Sequence, residues 1–433
     1  MKKTPIIKSA AKIYGQLEKV QWLFLDMNSY FASVEQQLNP DFRGRPLIVV
    51  PADTDATCAI AASYEAKAFG IKTGTPVYEA KRRCRDLQVI VARHDHYVTY
   101  HHRILEEIDR HIPVDTVASI DEMACRLGPD EQSIDAAIAL ALRIKEGMRR
   151  NVGEYIRCSV GLSTNRFLAK VATDLQKPDG LVVLESSAIP RELNHLPLKA
   201  LPGIGPGNYL RLIQANVTTL EDLWKVPPKH LRQIWGSVAG ERFWYALHGQ
   251  ELEDAPTQRS TVGHSHVLSP EWRPPRMAGY VARRLLLKAA SRLRRMNLFA
   301  THVHVSLRSE NGRRLHLDRT FPPASDNTAL LREMLALWEQ LVAENGYHFI
   351  KKISITLHGL TNNQHYQYDM FSAPPDVGKA NEKHGKASRV MDALNAKFGR
   401  DTVVMGGLPK RNLLFSGTKV AFSRIPDKAE FHE

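Results

Sequence analysis

This 433-residue chain has no long hydrophobic run, no paired cysteines and a shortage of acid. No stretch approaches the roughly 18 consecutive apolar residues that a membrane-spanning helix needs, so helical spans are not expected. The only cysteines are Cys58, Cys84, Cys125 and Cys158, and none belongs to a Cys-x-x-Cys pair. That argues against a zinc site and against a disulfide framework, and leaves reduced cytosolic thiols as the simple reading. Met1-Lys2-Lys3 has the charge of a signal n-region, but Lys8 and Lys12 interrupt the apolar stretch that should follow. No cleaved leader is expected. Internal repeats and long low-complexity tracts are also missing. Acidic residues are the minority: 46 Asp+Glu face 59 Lys+Arg, a formal net charge of +13. Such an excess suggests a polyanionic partner. Hydrophobic content of 43% is ordinary and can build several cores.

Two carboxylate motifs are present, far apart in sequence. In Phe24-Leu25-Asp26-Met27-Asn28-Ser29-Tyr30-Phe31-Ala32-Ser33-Val34-Glu35, an apolar strand runs into Asp26 and a helix starts at once. In Ser119-Ile120-Asp121-Glu122, two carboxylates follow the β-like run Val117-Ala118. A single aspartate at a strand end is usually a helix cap or turn residue. Three carboxylates converging at buried strand ends would repel one another unless cations compensate them. Oxygen-only donors favour Mg²⁺ or Mn²⁺. Two such ions about 3.5–4 Å apart form the usual clamp for in-line phosphoryl transfer.

The rest of the chain predicts an α+β multidomain protein. Trp22–Asp26 reads as a buried strand and Val114–Leu127 as a hairpin. Ser133 caps a helix with apolar positions Ile134, Ile138, Ala141 and Met148. Ile156–Leu162 and Asn165–Leu175 add a strand and a helix. This β-α-β-β-α-β order suits a ferredoxin-like domain. Residues 41–94 are basic and rich in small residues. Pro197 to Asp254 is helical with short loops, and Pro256-Thr257-Gln258 reads as a linker. Arg276–Met296 is a basic amphipathic helix. Thr301–Arg308 alternates, with Val303, Val305 and Leu307 on one face and His302, His304, Ser306 and Arg308 on the other. Asn311-Gly312 signals a type I′ hairpin turn leading to the strand Arg314–Asp318. Lys352–His358 is a further strand. Arginine and lysine crowd residues 256–320, opposed only by Glu271, Glu310 and Asp318.

Asp-Met-x-x-Tyr-Phe-Ala-Ser-Val-Glu and Ser-Ile-Asp-Glu resemble the palm motifs of the Y-family translesion DNA polymerases. The resemblance continues through Ala61–Lys67, Val160–Lys170, Lys177-Pro178-Asp179-Gly180 and Leu201-Pro202-Gly203-Ile204-Gly205, and covers roughly residues 20–360. It implies a right-hand polymerase: an extension at 1–20, a palm at 21–40 and 95–185, and fingers at 41–94. A helix-hairpin-helix thumb at 186–255, a little finger at 256–360 and a tail at 361–433 would follow. Val390–Lys397 is similar to the tail of the catalytic subunit of DNA polymerase V, which brings polymerase V-type accessory subunits in as partners.

By that resemblance Asp26, Asp121, Glu122 and the Met27 carbonyl hold two Mg²⁺ ions, or Mn²⁺. Asn28 departs from the usual aspartate and is not counted as a ligand. Phe31 falls at the steric-gate position, supported by Tyr30. Tyr64, Lys67 and Lys177 become the triphosphate clamp, with Lys67 standing where arginine is common. Gly203 and Gly205 would let backbone approach a DNA phosphate, and Arg308 and Arg314 would track phosphates from the sheet. Gln367, Met370 and Phe371, in Gln367-Tyr368-Asp369-Met370-Phe371, resemble a peptide that binds the sliding clamp. The expected partners are primer-template DNA, deoxynucleoside triphosphates and the clamp, in the cytoplasm at the nucleoid. Two other readings stand beside this one: a non-catalytic mutasome adaptor, which loss of the palm carboxylates would mark, and a plain DNA-binding protein. The second leaves Asp26, Asp121, Glu122 and Phe31 unexplained.

Overall fold

The computed structural model describes residues 19–55, 57–253, 260–362, 375–399 and 402–406. These form two units, which meet in sequence at Asp254/Ala255. No helix among the described residues is long and apolar enough to cross a membrane.

The first unit is built around β1 (Trp22–Met27), every residue of which is buried. Leu23 and Leu25 face one core, while Trp22 and Phe24 face another with Ala124 and Ala169. Two-sided burial explains why the strand reads as continuous apolar sequence rather than alternating. Helix α1 (Tyr30–Leu38) follows, after Ser29 turns the chain in the left-handed region at φ 48°. A small module comes next: β2 (Leu47–Val50), β3 (Ala61–Ala62), α2 (Tyr64–Ala68), α3 (Val77–Arg83) and β4 (Gln88–Val91). Its three strands lie in the order β3-β2-β4 over a separate core of Ile48, Val50, Ile71 and Val77.

The chain returns through the long helix α4 (His94–Asp109), which sequence reading did not identify. The expected hairpin is β5 (Thr116–Val117) with β6 (Glu122–Arg126), and Ser119–Asp121 form its tip. Helix α5 (Ile134–Gly147) is capped by Ser133, whose hydroxyl accepts from the Ala136 N–H. Strand β7 (Cys158–Ser163), helix α6 (Arg166–Leu175) and β8 (Leu181–Leu184) complete the layer. The strand order β5-β6-β1-β7-β8 is the predicted ferredoxin-like order with β8 added parallel to β7. Gly161 is required where α6 crosses β7: a Cβ there would lie 2.0 Å from the Ala169 carbonyl oxygen. Four short helices end the unit: α7 (Pro206–Gln214), α8 (Leu220–Lys225), α9 (Pro228–Trp235) and α10 (Val238–Leu247).

The second unit runs β9 (Thr261–Val267), α11 (Pro275–Arg295), β10 (Ala300–Ser309), β11 (Arg314–Ala324), α12 (Asn327–Glu344) and β12 (Ile350–His358). It repeats the β-α-β-β-α-β order, but its antiparallel strands lie β11-β10-β12-β9. Val303, Val305 and Leu307 are buried against the helices, as their alternation predicts. The type I′ turn is corrected. Only Gly312 has positive φ, at 88°, and Ser309 N–H donates to the Arg313 carbonyl at 2.9 Å. That closes a three-residue loop, in which glycine alone must be left-handed. Helix α13 (Pro375–Phe398) packs on α11 and α12. Arg294 anchors it, donating to both Asp392 oxygens at 2.7 and 2.8 Å. The predicted linker at Pro256–Gln258 lies outside the described residues.

Candidate active site

Alternation along β1 decides where Asp26 points. It shares a face with Trp22 and Phe24, toward α6. Across the antiparallel ladder its partner is Glu122, just as Phe24 pairs with Ala124. Two carboxylates directly opposite in a sheet repel. Asp26 is 6% exposed, so water screens it poorly. Asp121 sits at the hairpin tip, where its Oδ1 accepts from the Ser119 hydroxyl at 2.6 Å. Its carbonyl accepts from the Met27 N–H at 2.8 Å, tying the two motifs together. Burial pushes the Asp121 carboxyl up to about 6. The Ser119 bond opposes that shift, and the negative charges of Asp26 and Glu122 add to it.

Two ammonium groups supply the compensation. Lys170 Nζ, from α6, contacts Asp26 Oδ2 and lies 2.9 Å from Glu122 Oε1. Lys177 Nζ lies 2.9 Å from the same Asp26 oxygen and 2.8 Å from Asp174 Oδ1. Burial alone would lower the Lys170 pKa, but Asp26, Asp174 and Glu122 outweigh it and raise it. Sequence reading gave Lys170 no role. Its signal was the opposite-sign spacing Lys170–Asp174–Lys177 along and just past α6. As these groups stand, no three His, Cys, Asp or Glu side chains among the described residues are gathered to hold a metal ion. Ammonium groups stand between the carboxylates, and the Asp121 side chain is turned to Ser119. The donor chemistry nevertheless suits a hard divalent cation, because the acids at the strand ends are all oxygen donors of matching charge.

A cavity of about 300 Å³ opens on these groups, lined by Asp26, Met27, Tyr30, Phe31, Lys67, Asp121, Glu122, Lys170 and Lys177. Phe31 is 7% exposed and stacks on Tyr97, with ring centroids 4.3 Å apart. Behind it, the Tyr97 hydroxyl donates to Glu35 at 2.8 Å and Arg93 pairs with that buried carboxylate. Tyr30 also lines the cavity, but its hydroxyl donates to the Tyr97 carbonyl at 2.6 Å and so serves packing. Lys67 Nζ sits 4.1 Å from the Tyr64 ring centre and donates to the Ser29 hydroxyl at 2.7 Å. Burial lowers the Lys67 pKa, and the like charge of Lys177 lowers it further. Tyr64 itself is not among the lining residues.

Two supports were missed in the sequence. Asn28 accepts from the Asp179 N–H at 2.7 Å and donates to the Ser159 hydroxyl at 3.0 Å. It therefore fixes the turn that carries Lys177, and both halves of an amide are needed for the pair of bonds. His101, on α4, donates from Nδ1 to the Ile120 carbonyl at 2.8 Å and braces the hairpin beside Asp121.

Gly203 has φ 89°, and Gly205 caps α7 in an exposed loop with nothing near its Cβ position. The first helix of this hairpin is only the 3₁₀ turn Leu198–Ala200. In the second unit Arg308 faces Arg314 on one side and Lys352 on the other. Such a row of like charges is unfavourable unless an anion joins it. The wider basic stretch is corrected. Arg294 is internal, Arg273 pairs with Glu310, and Arg313 and Arg319 pair with Glu344 and Glu333 of α12. The α11 arginines lie on the helix layer, not on the open sheet face. Gln367, Met370 and Phe371 lie outside the described residues.

Comparison with known proteins places this geometry. The impB/mucB/samB family model matches residues 25–174, and that family's C-terminal domain matches 259–370. DNA polymerase IV of Moorella thermoacetica is 32% identical over 394 residues, covering 88% of this chain and 94% of that protein. DNA polymerase IV of Pelotomaculum thermopropionicum is 29% identical over 392 residues, with the same coverages of 88% and 94%. A Y-family DNA polymerase chimera of Dbh and Dpo4 shares the fold, with TM-score 0.67 and 24% identity over 79% of this chain and 100% of its own. The chain shares the right-hand architecture of that polymerase fold. The chain belongs to the impB/mucB/samB family and is a Y-family DNA polymerase.

Proposed function

We propose that the chain performs low-fidelity translesion synthesis, adding deoxynucleotides to a primer at Asp26, Asp121 and Glu122. The observation that carries this reading is the cross-strand pair Asp26–Glu122 at the end of a buried sheet, facing the cavity that Phe31 and Lys67 also line. The three carboxylates and the Met27 carbonyl would hold two Mg²⁺ ions, or Mn²⁺ in their place. When bound, these ions activate the primer 3′-hydroxyl and neutralise the leaving pyrophosphate.

The chain's own residues do the positioning. The Phe31 ring, fixed by Tyr97, excludes a ribose 2′-hydroxyl. Tyr64, Lys67 and Lys177 hold the triphosphate, with Lys67 giving charge without the fork of an arginine. Gly203 and Gly205 offer backbone N–H groups to a DNA phosphate, and the Arg308–Arg314 row joins two phosphates to the little finger. The resemblances at Gln367–Phe371 and Val390–Lys397 support a sliding clamp and polymerase V-type accessory subunits as partners. Work in the cytoplasm at the nucleoid, within the SOS response to DNA damage, fits that company.

Primer extension with and without Mg²⁺ tests the reading. Template-directed addition should appear with the ion and vanish with chelator. A folded protein that binds primer-template yet adds nothing at any Mg²⁺ concentration would leave the adaptor reading in its place. For the clamp, alanine at Met370 and Phe371 should remove stimulation by a loaded clamp, and persistence of that stimulation would move the contact elsewhere.

A further inference from the structure

We propose that Lys170 is an internal counter-cation which a divalent metal must displace, and that Asp174 is the acceptor that receives the displaced ammonium. The inference rests on the reading of Asp26, Asp121 and Glu122 as metal ligands.

The Lys170 ammonium bridges Asp26 and Glu122, the pair that the sheet holds opposite each other. The side chain is 17% exposed and that of Asp26 9%, so this is a part-buried ion cluster rather than a surface contact. Removing one partner from such a cluster leaves an uncompensated charge. Without Lys170 the two carboxylates would face each other, and Lys177 ion-pairs with Asp26 but not with Glu122 among the described contacts. A divalent ion seeks the same oxygens, and cations crowded into one site repel. The Lys170 ammonium therefore has to move. Asp174 is already 3.6 Å from it, one helical turn along α6, and also holds Lys177 at 2.8 Å. A small swing exchanges carboxylates without leaving the ammonium buried and unpaired. The arrangement keeps the palm folded without metal, makes metal binding weaker than the acids alone would give, and leaves both ammoniums beside the cavity.

Mn²⁺ binding to the full chain, followed by electron paramagnetic resonance without DNA or nucleotide, tests this directly. Thermal melts in chelator and in saturating Mn²⁺ complete the set. Lys170→Gln should tighten Mn²⁺ binding by about tenfold or more, because a unit positive charge leaves the immediate site. Its melting temperature should fall in chelator and recover in Mn²⁺, whereas a purely structural lysine would lower both. Lys170→Arg should keep the weaker wild-type affinity. Asp174→Asn should weaken binding, because the ammonium has lost its second partner. Lys170→Gln that folds, by circular dichroism, yet binds Mn²⁺ as wild type or less tightly would overturn the inference while leaving the metal site intact. No Mn²⁺ binding by wild type, or unaltered binding by Asp121→Asn, would instead overturn the metal-ligand reading and this inference with it.

Discussion

Acid should weaken the palm through His101. This side chain is 1% exposed, and its Nδ1–H is committed to the Ile120 carbonyl. Burial lowers its pKa to about 4, against the Ile120 bond, which favours the charged form, and with the neighbouring His102. The unfolded chain takes up the proton near pH 6.5, and the folded chain resists it until about 4. Between those values the unfolded state binds more protons, so stability falls as pH falls. The full gap corresponds to about 3 kcal/mol. For a unit of this size that is roughly 6–12 °C in melting temperature. The comparison is wild type against His101→Asn, whose amide can still donate to the Ile120 carbonyl. Both proteins lose stability in acid through other groups, so only the difference between the two pH profiles matters. Wild type should lose about 3 kcal/mol more than the variant from pH 6.5 to 4. Parallel profiles would show that His101 is protonated in the folded palm and does not brace the hairpin as a neutral ring.

Phe31→Ala should admit ribonucleotides, since the ring stacked on Tyr97 lines the cavity; unchanged sugar discrimination in single-nucleotide incorporation would place the gate elsewhere. Arg93→Ala strips the cation from Glu35, whose side chain is wholly buried. It should cost about 3 kcal/mol in denaturant unfolding, the low end for a broken buried pair because Arg93 is itself half exposed, and Glu35→Gln in the same chain should recover part of it. A loss too small to measure would remove Glu35 from the support of Phe31. Arg308→Ala and Arg314→Ala should each weaken primer-template binding for all sequences alike and reduce the log–log salt slope by about 0.9. An unchanged slope would show that neither touches a phosphate.

The parts of this fold that were legible in the sequence are those where one physical pattern acts alone. Trp22–Asp26 reads as a strand because both its faces are buried. Val303, Val305 and Leu307 read as a core face because their opposite face is polar. Ser133 and Asn165 mark helix starts by the same side-chain acceptance that caps them in the structure. Helix α4 escaped because its buried positions, Tyr97, Val98, Ile104 and Ile108, are diluted by four histidines, so that spacing survives while hydrophobicity does not. The Asn311-Gly312 signal named the wrong turn, because a three-residue loop needs positive φ only at glycine. At the site, Asp26, Asp121, Glu122, Phe31, Lys67 and Lys177 meet at one cavity, although 151 positions separate Asp26 from Lys177. Lys170 and Asn28 were not legible, because their meaning lies in partners that only the sheet brings close. The arginine-rich stretch misled in the opposite sense. Charge counting missed the partners: α13 supplies the acid that holds Arg294 inside, and α12 supplies acids that pair with Arg313 and Arg319 at the surface.

The central claim is that Asp26, Asp121 and Glu122 hold the charge of nucleotidyl transfer. The direct measurement is the single-turnover rate of nucleotide addition by Asp121→Ala in Mg²⁺, with primer-template affinity measured on the same protein. Asp121 lies at the hairpin tip, so its removal leaves the sheet ladder in place. The account predicts a fall in rate of about a hundredfold or more at unchanged DNA affinity. A rate within about twofold of wild type would contradict it, because a residue that helps hold transition-state charge cannot be removed so cheaply.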